Sequence, residues 1–87
     1  MAKTILIVDD SSSLRTVVRM SLARAGYDVI EAGDGQEALT QLDKTPKVHL
    51  IVSDVNMPHM DGITFVKHVK QHPRHRFAPV EIGRAHV

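Results

Sequence analysis

The sequence predicts an α/β domain built on a doubly wound parallel sheet. Apolar runs of strand length alternate with stretches of helical periodicity, and two of the runs stop at carboxylates. Ile5-Leu6-Ile7-Val8 ends at Asp9-Asp10, and Leu50-Ile51-Val52-Ser53 ends at Asp54. Uninterrupted β-branched runs are what strands buried on both faces look like, and strand–helix alternation gives a parallel sheet with right-handed crossovers. Ligands in such folds bind in the crevice outside the carboxyl ends of the strands. Three acids are therefore expected to meet in one crevice. Carboxylates that close repel one another and resist ionising together, so the site makes sense with a cation between them.

Each element has its own local signal. Lys3 to Val8 is the first strand, and Ser11, Ser12 and Ser13 offer N-caps to a helix running to about Ala25. Leu14, Val17, Val18, Leu22 and Ala25 fall on one apolar face of that helix, with Arg15, Arg19 and Arg24 on its outer face, and Gly26 is its natural stop. Tyr27 to Ala32 mixes polar and apolar residues, as a less buried edge strand does. Asp34-Gly35-Gln36-Glu37 has capping-box spacing, and Ala38, Leu39 and Leu42 supply the face of a second helix ending near Pro46. Val48 to Ser53 is the third strand. Asp61 caps a third helix lined by Ile63, Val66 and Val69, Pro73 ends it, Gln71 to Arg76 is a polar connection, and a fourth strand begins near Phe77.

Composition narrows the class. The chain has 87 residues, no cysteine and a formal charge of +1 with acids and bases interspersed. One domain is the most this length allows, with little margin for a core. Disulfides, thiolate metal sites and cysteine nucleophiles are excluded, and the charge pattern is not the footprint of a nucleic-acid binder. Residues 5–8 are far too short an apolar stretch for a signal sequence or a membrane span, so a cytoplasmic protein without membrane contact is expected.

Three separated segments carry a family resemblance: Ile5 to Ser11, Asp34 to Leu39, and Asp54-Val55-Asn56-Met57-Pro58-His59-Met60-Asp61-Gly62. Together they resemble the receiver domain of bacterial response regulators, most of all the single-domain, CheY-like chemotaxis type. The resemblance covers about residues 3–80 and implies the flavodoxin/CheY-like strand order 2-1-3-4-5. It implies a phosphoacceptor in a two-component phosphorelay, a signalling module rather than an enzyme. Asp54 would accept phosphate from a sensor histidine kinase or phosphotransfer protein. Asp10 and Asp54 would ligate Mg²⁺ directly, Asp9 would help through water, and Asn56 would lend its main-chain carbonyl.

The residues also admit other readings. Asp9 and Asp10 before Ser11 could simply cap the first helix. A magnesium-dependent phosphohydrolase of the haloacid-dehalogenase kind also places an aspartate after its first strand, but it wants Asp-x-Asp where this chain has Asp9-Asp10-Ser11. A catalytically silent fragment acting through protein contacts is a further alternative. His68 and His72 have zinc-compatible i, i+4 spacing with His75 just beyond. With no acid or cysteine beside them, a solvated helix face is expected instead. His59 is read as an exposed loop residue, and Met57 and Met60 as packing.

Toward the end the pattern departs from the family. After Phe77-Ala78-Pro79-Val80, receivers continue with a hydroxyl residue, a helix, a fifth strand ending in lysine and a last helix; here Glu81 to Val87 follows. The expected domain is thus incomplete, with three full strands and a fourth, lacking the last strand and last two helices. Residues 1–80 read as a truncated receiver domain. Residues 81–87, encodable by DNA resembling sequencing-adapter sequence, read as a tail foreign to it. An unpaired sheet edge, a bared apolar face beside the first helix, marginal stability and impaired switching are expected to follow.

Overall fold

A computed structural model describes residues 2–83. Its elements run β1 (Thr4–Val8), α1 (Ser12–Arg24), β2 (Asp28–Ala32), α2 (Gly35–Lys44), β3 (Leu50–Asp54), α3 (Gly62–Lys70) and β4 (Val80–Gly83). The sheet is parallel throughout, in the order β2-β1-β3-β4. This is the expected doubly wound arrangement, with β2 at an edge.

All three helix starts follow the sequence signals. Ser11, Asp34 and Asp61 are the N-caps, and each side chain accepts from the amide three residues on, at 3.3, 2.8 and 2.8 Å. Each bond satisfies an amide that the helix itself leaves orphaned. Gly26, at φ +98°, turns the chain out of α1 in the left-handed region where a side chain would be strained.

One core lies between the sheet and the α2–α3 pair. Leu6, Val8 and Ile51 from the strands meet Ala38 and Leu42 of α2 and Phe65 and Val69 of α3, with Met57 and Met60 packed at the margin. The opposite face differs. Ile7, Val52 and Ile82 share a groove of about 210 Å³ with Leu14 and Val18 of α1, and no residue of α1 is buried. The expected apolar face of this helix is therefore only half covered: Leu14, Val18 and Leu22 are half-buried, while Val17 of the same face is 61% exposed. The physical reason is that, among the described residues, α1 packs mainly against β2 and β1 and meets the rest of the sheet across an open groove.

Two strand starts differ from expectation by more than a single residue. β3 begins at Leu50 rather than Val48, and β4 begins at Val80 rather than near Phe77, whose ring is 84% exposed in a turn under the Arg76 guanidinium. Pro79 precedes the strand. Glu81, Ile82 and Gly83 pair in register with Val52, Ser53 and Asp54, so these three residues of the 81–87 segment continue β4. Residues 84–87 lie outside the described residues.

Phe65 is the largest side chain with no exposed surface. Phe65→Ala is expected to lower stability by about 3–5 kcal/mol, a large share of the roughly 5–15 kcal/mol typical of a domain. Urea unfolding should show a sharply lowered midpoint, and an unchanged one would remove Phe65 from the core.

Candidate functional site

β1 and β3 are neighbours in register, Val8 beside Ser53, so the residues that follow them emerge side by side. Asp9, Asp10 and Asp54 each bring a carboxylate oxygen to this corner, and these oxygens lie within 4.8 Å of one another. Asp9 and Asp54 are buried while Asp10 is exposed. The structure thus brings together the three acids expected to meet.

Hydrogen bonds fix the corner. Asp9 Oδ1 accepts from the Ser11 amide at 2.8 Å, and the Asp9 amide donates to the Ala32 carbonyl at 3.1 Å. The Asn56 amide donates to Asp54 Oδ1 at 3.4 Å, and the Ser53 hydroxyl to the Asp54 carbonyl at 2.9 Å. Gly62 brings α3 hard against this strand end. A Cβ there would stand 2.7 Å from the Asp54 carbonyl oxygen and 3.0 Å from Val55 Cα, both backbone atoms that cannot swing aside.

Burial holds the Asp9 carboxyl above the ordinary aspartate value of 3.8, even against the Ser11 amide bond that favours its ionised form. The negative charges of Asp54 and Asp10 push the same way, and Arg15 opposes them. A corner in which a buried carboxyl has two further carboxylates within reach is one whose donor set fits a hard divalent cation. Oxygen-only ligands at the mouth of a crevice suit such an ion better than a soft metal.

The loop after β3 closes one side. His59 adopts φ 70° and its Nδ1 lies 3.2 Å from Asp34 Oδ2, tying the loop to the start of α2. Asp34 is held below the usual carboxylate range, first by the Glu37 amide and further by His59. His59 is exposed as expected, but it has a partner.

Other residues fall differently from expectation. Arg15 and Arg19 are not merely an outer face: both contact Glu31 of β2, at 3.3 and 3.0 Å, and Arg15 Nη1 also donates to the Asp9 carbonyl. The stretch from Gln71 to Arg76 is not wholly a polar surface either. His75 is 1% exposed, its Nε2 within 2.9 Å of the Leu42 carbonyl and 3.0 Å of the Thr45 carbonyl. It satisfies the end of α2, where carbonyls lack helical partners. His72 pairs with Asp43 at 2.9 Å. Among the described residues Asp9, Asp10 and Asp54 are the one group placed to share a metal, and the histidines make none.

Comparison with known proteins fits this geometry. The family model described as "Response regulator receiver domain" matches residues 5–82, and the chain belongs to that family. It is 39% identical to the chemotaxis protein CheY1 of Helicobacter pylori, covering 95% of this chain and 72% of that protein. It is 49% identical to the alkaline phosphatase synthesis transcriptional regulatory protein PhoP of Bacillus subtilis, over 82% of this chain but only 29% of that regulator. The structure of Vibrio cholerae chemotaxis protein CheY4 superposes with a TM-score of 0.90 at 43% identity, covering 94% of this chain and 68% of that one. The chain is a receiver-type signalling module, and membership decides between this reading and the phosphohydrolase alternative. No helix among the described residues is long and apolar enough to cross a membrane.

The raised pKa of Asp9 has a consequence for stability. A carboxyl whose folded pKa exceeds its unfolded one stabilises the fold below the unfolded pKa and loses that contribution as pH rises through the folded value. Asp9→Asn should therefore raise the thermal midpoint of the metal-free protein at pH 7, with the gain vanishing below about pH 4. Scanning calorimetry at several pH values checks this, and a destabilised variant at neutral pH would contradict the repulsive corner.

Proposed function

We propose that this chain is the phosphoacceptor of a two-component phosphorelay and that Asp54 is the residue modified. The observation that carries the proposal is the meeting of Asp9, Asp10 and Asp54 at the carboxyl ends of β1 and β3. Asp54 ends its strand, where a carboxylate oxygen can approach phosphorus in line. As the O–P bond to Asp54 forms, the P–N bond to a phosphohistidine on the donor breaks and the released imidazole takes up a proton. Phosphoryl transfer asks a protein mainly to position the partners and neutralise charge.

Asp10 and Asp54 are the direct carboxylate ligands in this reading, Asp9 acts through water, and the Asn56 main-chain carbonyl completes the protein's share of a Mg²⁺ site. Bound there, Mg²⁺ would neutralise and orient the oxygens of the transferring phosphoryl group. The partners are a sensor histidine kinase or a phosphotransfer protein, and a cytoplasmic location goes with such a donor. Chemotaxis-type output is supported by the relatives and solved structures of which this chain spans the larger share. PhoP-like transcriptional output is the second reading, because the same domain makes up part of that regulator.

Incubated with acetyl phosphate and Mg²⁺, the protein should take up one phosphoryl group, and Asp54→Asn should abolish uptake. Intact-mass spectrometry reads the result, and base-labile phosphate on the variant would sink the assignment. Asp10→Asn should weaken Mg²⁺ binding by about 10-fold or more, as loss of a hard anionic ligand does. Equal affinities by titration would remove Asp10 from the site.

A further inference from the structure

Glu31 lies on β2 opposite Ile7 of β1, so its side chain emerges on the α1 face of the sheet. There it meets two arginines one helical turn apart, Arg15 Nε at 3.3 Å from one carboxylate oxygen and Arg19 Nε at 3.0 Å from the other. Like charges at i, i+4 repel, and a carboxylate between them removes that repulsion. Arg15 is the more buried of the two, its side chain 19% exposed against 42% for Arg19. Its guanidinium reaches the Asp9 main-chain carbonyl and lines the same groove as Asp9 and Asp54.

This placement is electrostatically unexpected. A guanidinium beside several carboxylates gains most from a bidentate pair with one of them, yet among the described residues Arg15 forms its ion pair with Glu31 alone. A bidentate pair with Asp9 or Asp54 would occupy lone pairs that a divalent cation needs.

We propose that Glu31 is a positioning residue that holds Arg15 out of the acidic corner, so that Asp9, Asp10 and Asp54 stay open to a divalent cation. Glu31 touches neither the cation nor the phosphoryl group. It acts by offering Arg15 a competing anion on the far side of the β1 corner, while the Asp9 carbonyl takes another of the guanidinium's N–H groups. Arg19 sets the orientation of Glu31. The proposal rests on the reading of the corner as a cation site.

The test is a Mg²⁺ titration of the 87-residue chain followed by amide NMR, with Glu31→Gln, Arg15→Met and the double variant beside wild type. Glu31→Gln should weaken Mg²⁺ binding about 10-fold, the size of effect typical for outer-shell partners of a metal site. Arg15→Met should bind at least as tightly as wild type, and adding it to Glu31→Gln should restore the loss. A merely structural role for the pair predicts the opposite: Arg15→Met would weaken binding and the double variant would stay weak. That result, or unchanged affinity in Glu31→Gln, overturns the proposal. Wild type that binds no Mg²⁺ overturns the reading of the corner itself. Thermal unfolding of each variant shows whether it is folded, and if Glu31→Gln is not, the direction of the Arg15→Met effect alone decides.

Discussion

Mutual repulsion among Asp9, Asp10 and Asp54 is the constraint around which the rest of the structure is arranged. Their oxygens come within 4.8 Å because two adjacent parallel strands end together, with Val8 beside Ser53. Strand pairing therefore imposes a proximity that the charges oppose. The Ser11 amide at Asp9 and the Asn56 amide at Asp54 each hold one carboxylate oxygen in place, and the former favours the charged form of Asp9. Arg15 supplies a positive charge nearby through the Asp9 carbonyl. What remains uncompensated is the capacity to hold a cation.

The corner also depends on close backbone approach. Gly62 places the start of α3 where a Cβ would strike the Asp54 carbonyl and Val55 Cα, so the geometry of Asp54 is inseparable from the packing of α3. A Cβ at Gly35 would meet Met60 Sδ, Cβ and Cγ at 2.9–3.1 Å, and the Met60 Cβ is fixed to its backbone, so this glycine too keeps room for the loop after β3 against α2. His59, at φ 70° and paired with Asp34, completes the link between that loop and α2.

What the sequence made legible was local. Caps, strand runs and the acids at their ends are written in consecutive residues, so Asp34 and Asp61 could be placed without coordinates and the first cap narrowed to Ser11–Ser13, while the three-aspartate corner followed from the rule that parallel strands present their carboxyl ends together. What it hid was long-range. His75 caps a helix end 33 residues away, Arg15 pairs across 16 and His59 across 25. Each belongs to a stretch whose polar character equally describes a solvated surface. The segment 81–87 shows the same limit at a strand: its residues lack the apolar pattern of β4, yet Glu81, Ile82 and Gly83 continue the pairing with β3. Parallel ladders are made by backbone groups, which any non-proline residue carries. Periodicity on α1 likewise identified an apolar face but not what would lie against it.

The two faces of the sheet contribute unequally to the corner. Asp54 is set from the α2–α3 side, through Gly62 and a core that includes Phe65 with no exposed surface. Asp9 and Asp10 lead into α1, which buries no residue and is joined to the sheet near the corner by Arg15 and Glu31. Closely packed interiors resist displacement, while half-covered elements move at lower free-energy cost. Asp54 and Asp9 are thus the buried members of the trio, each held at the end of its strand, and Asp10, exposed at the entry to α1, is the member least constrained by packing. In the cation-site reading proposed above, the seating of α1 bears on the corner through Asp10 and through the Arg15–Glu31 pair.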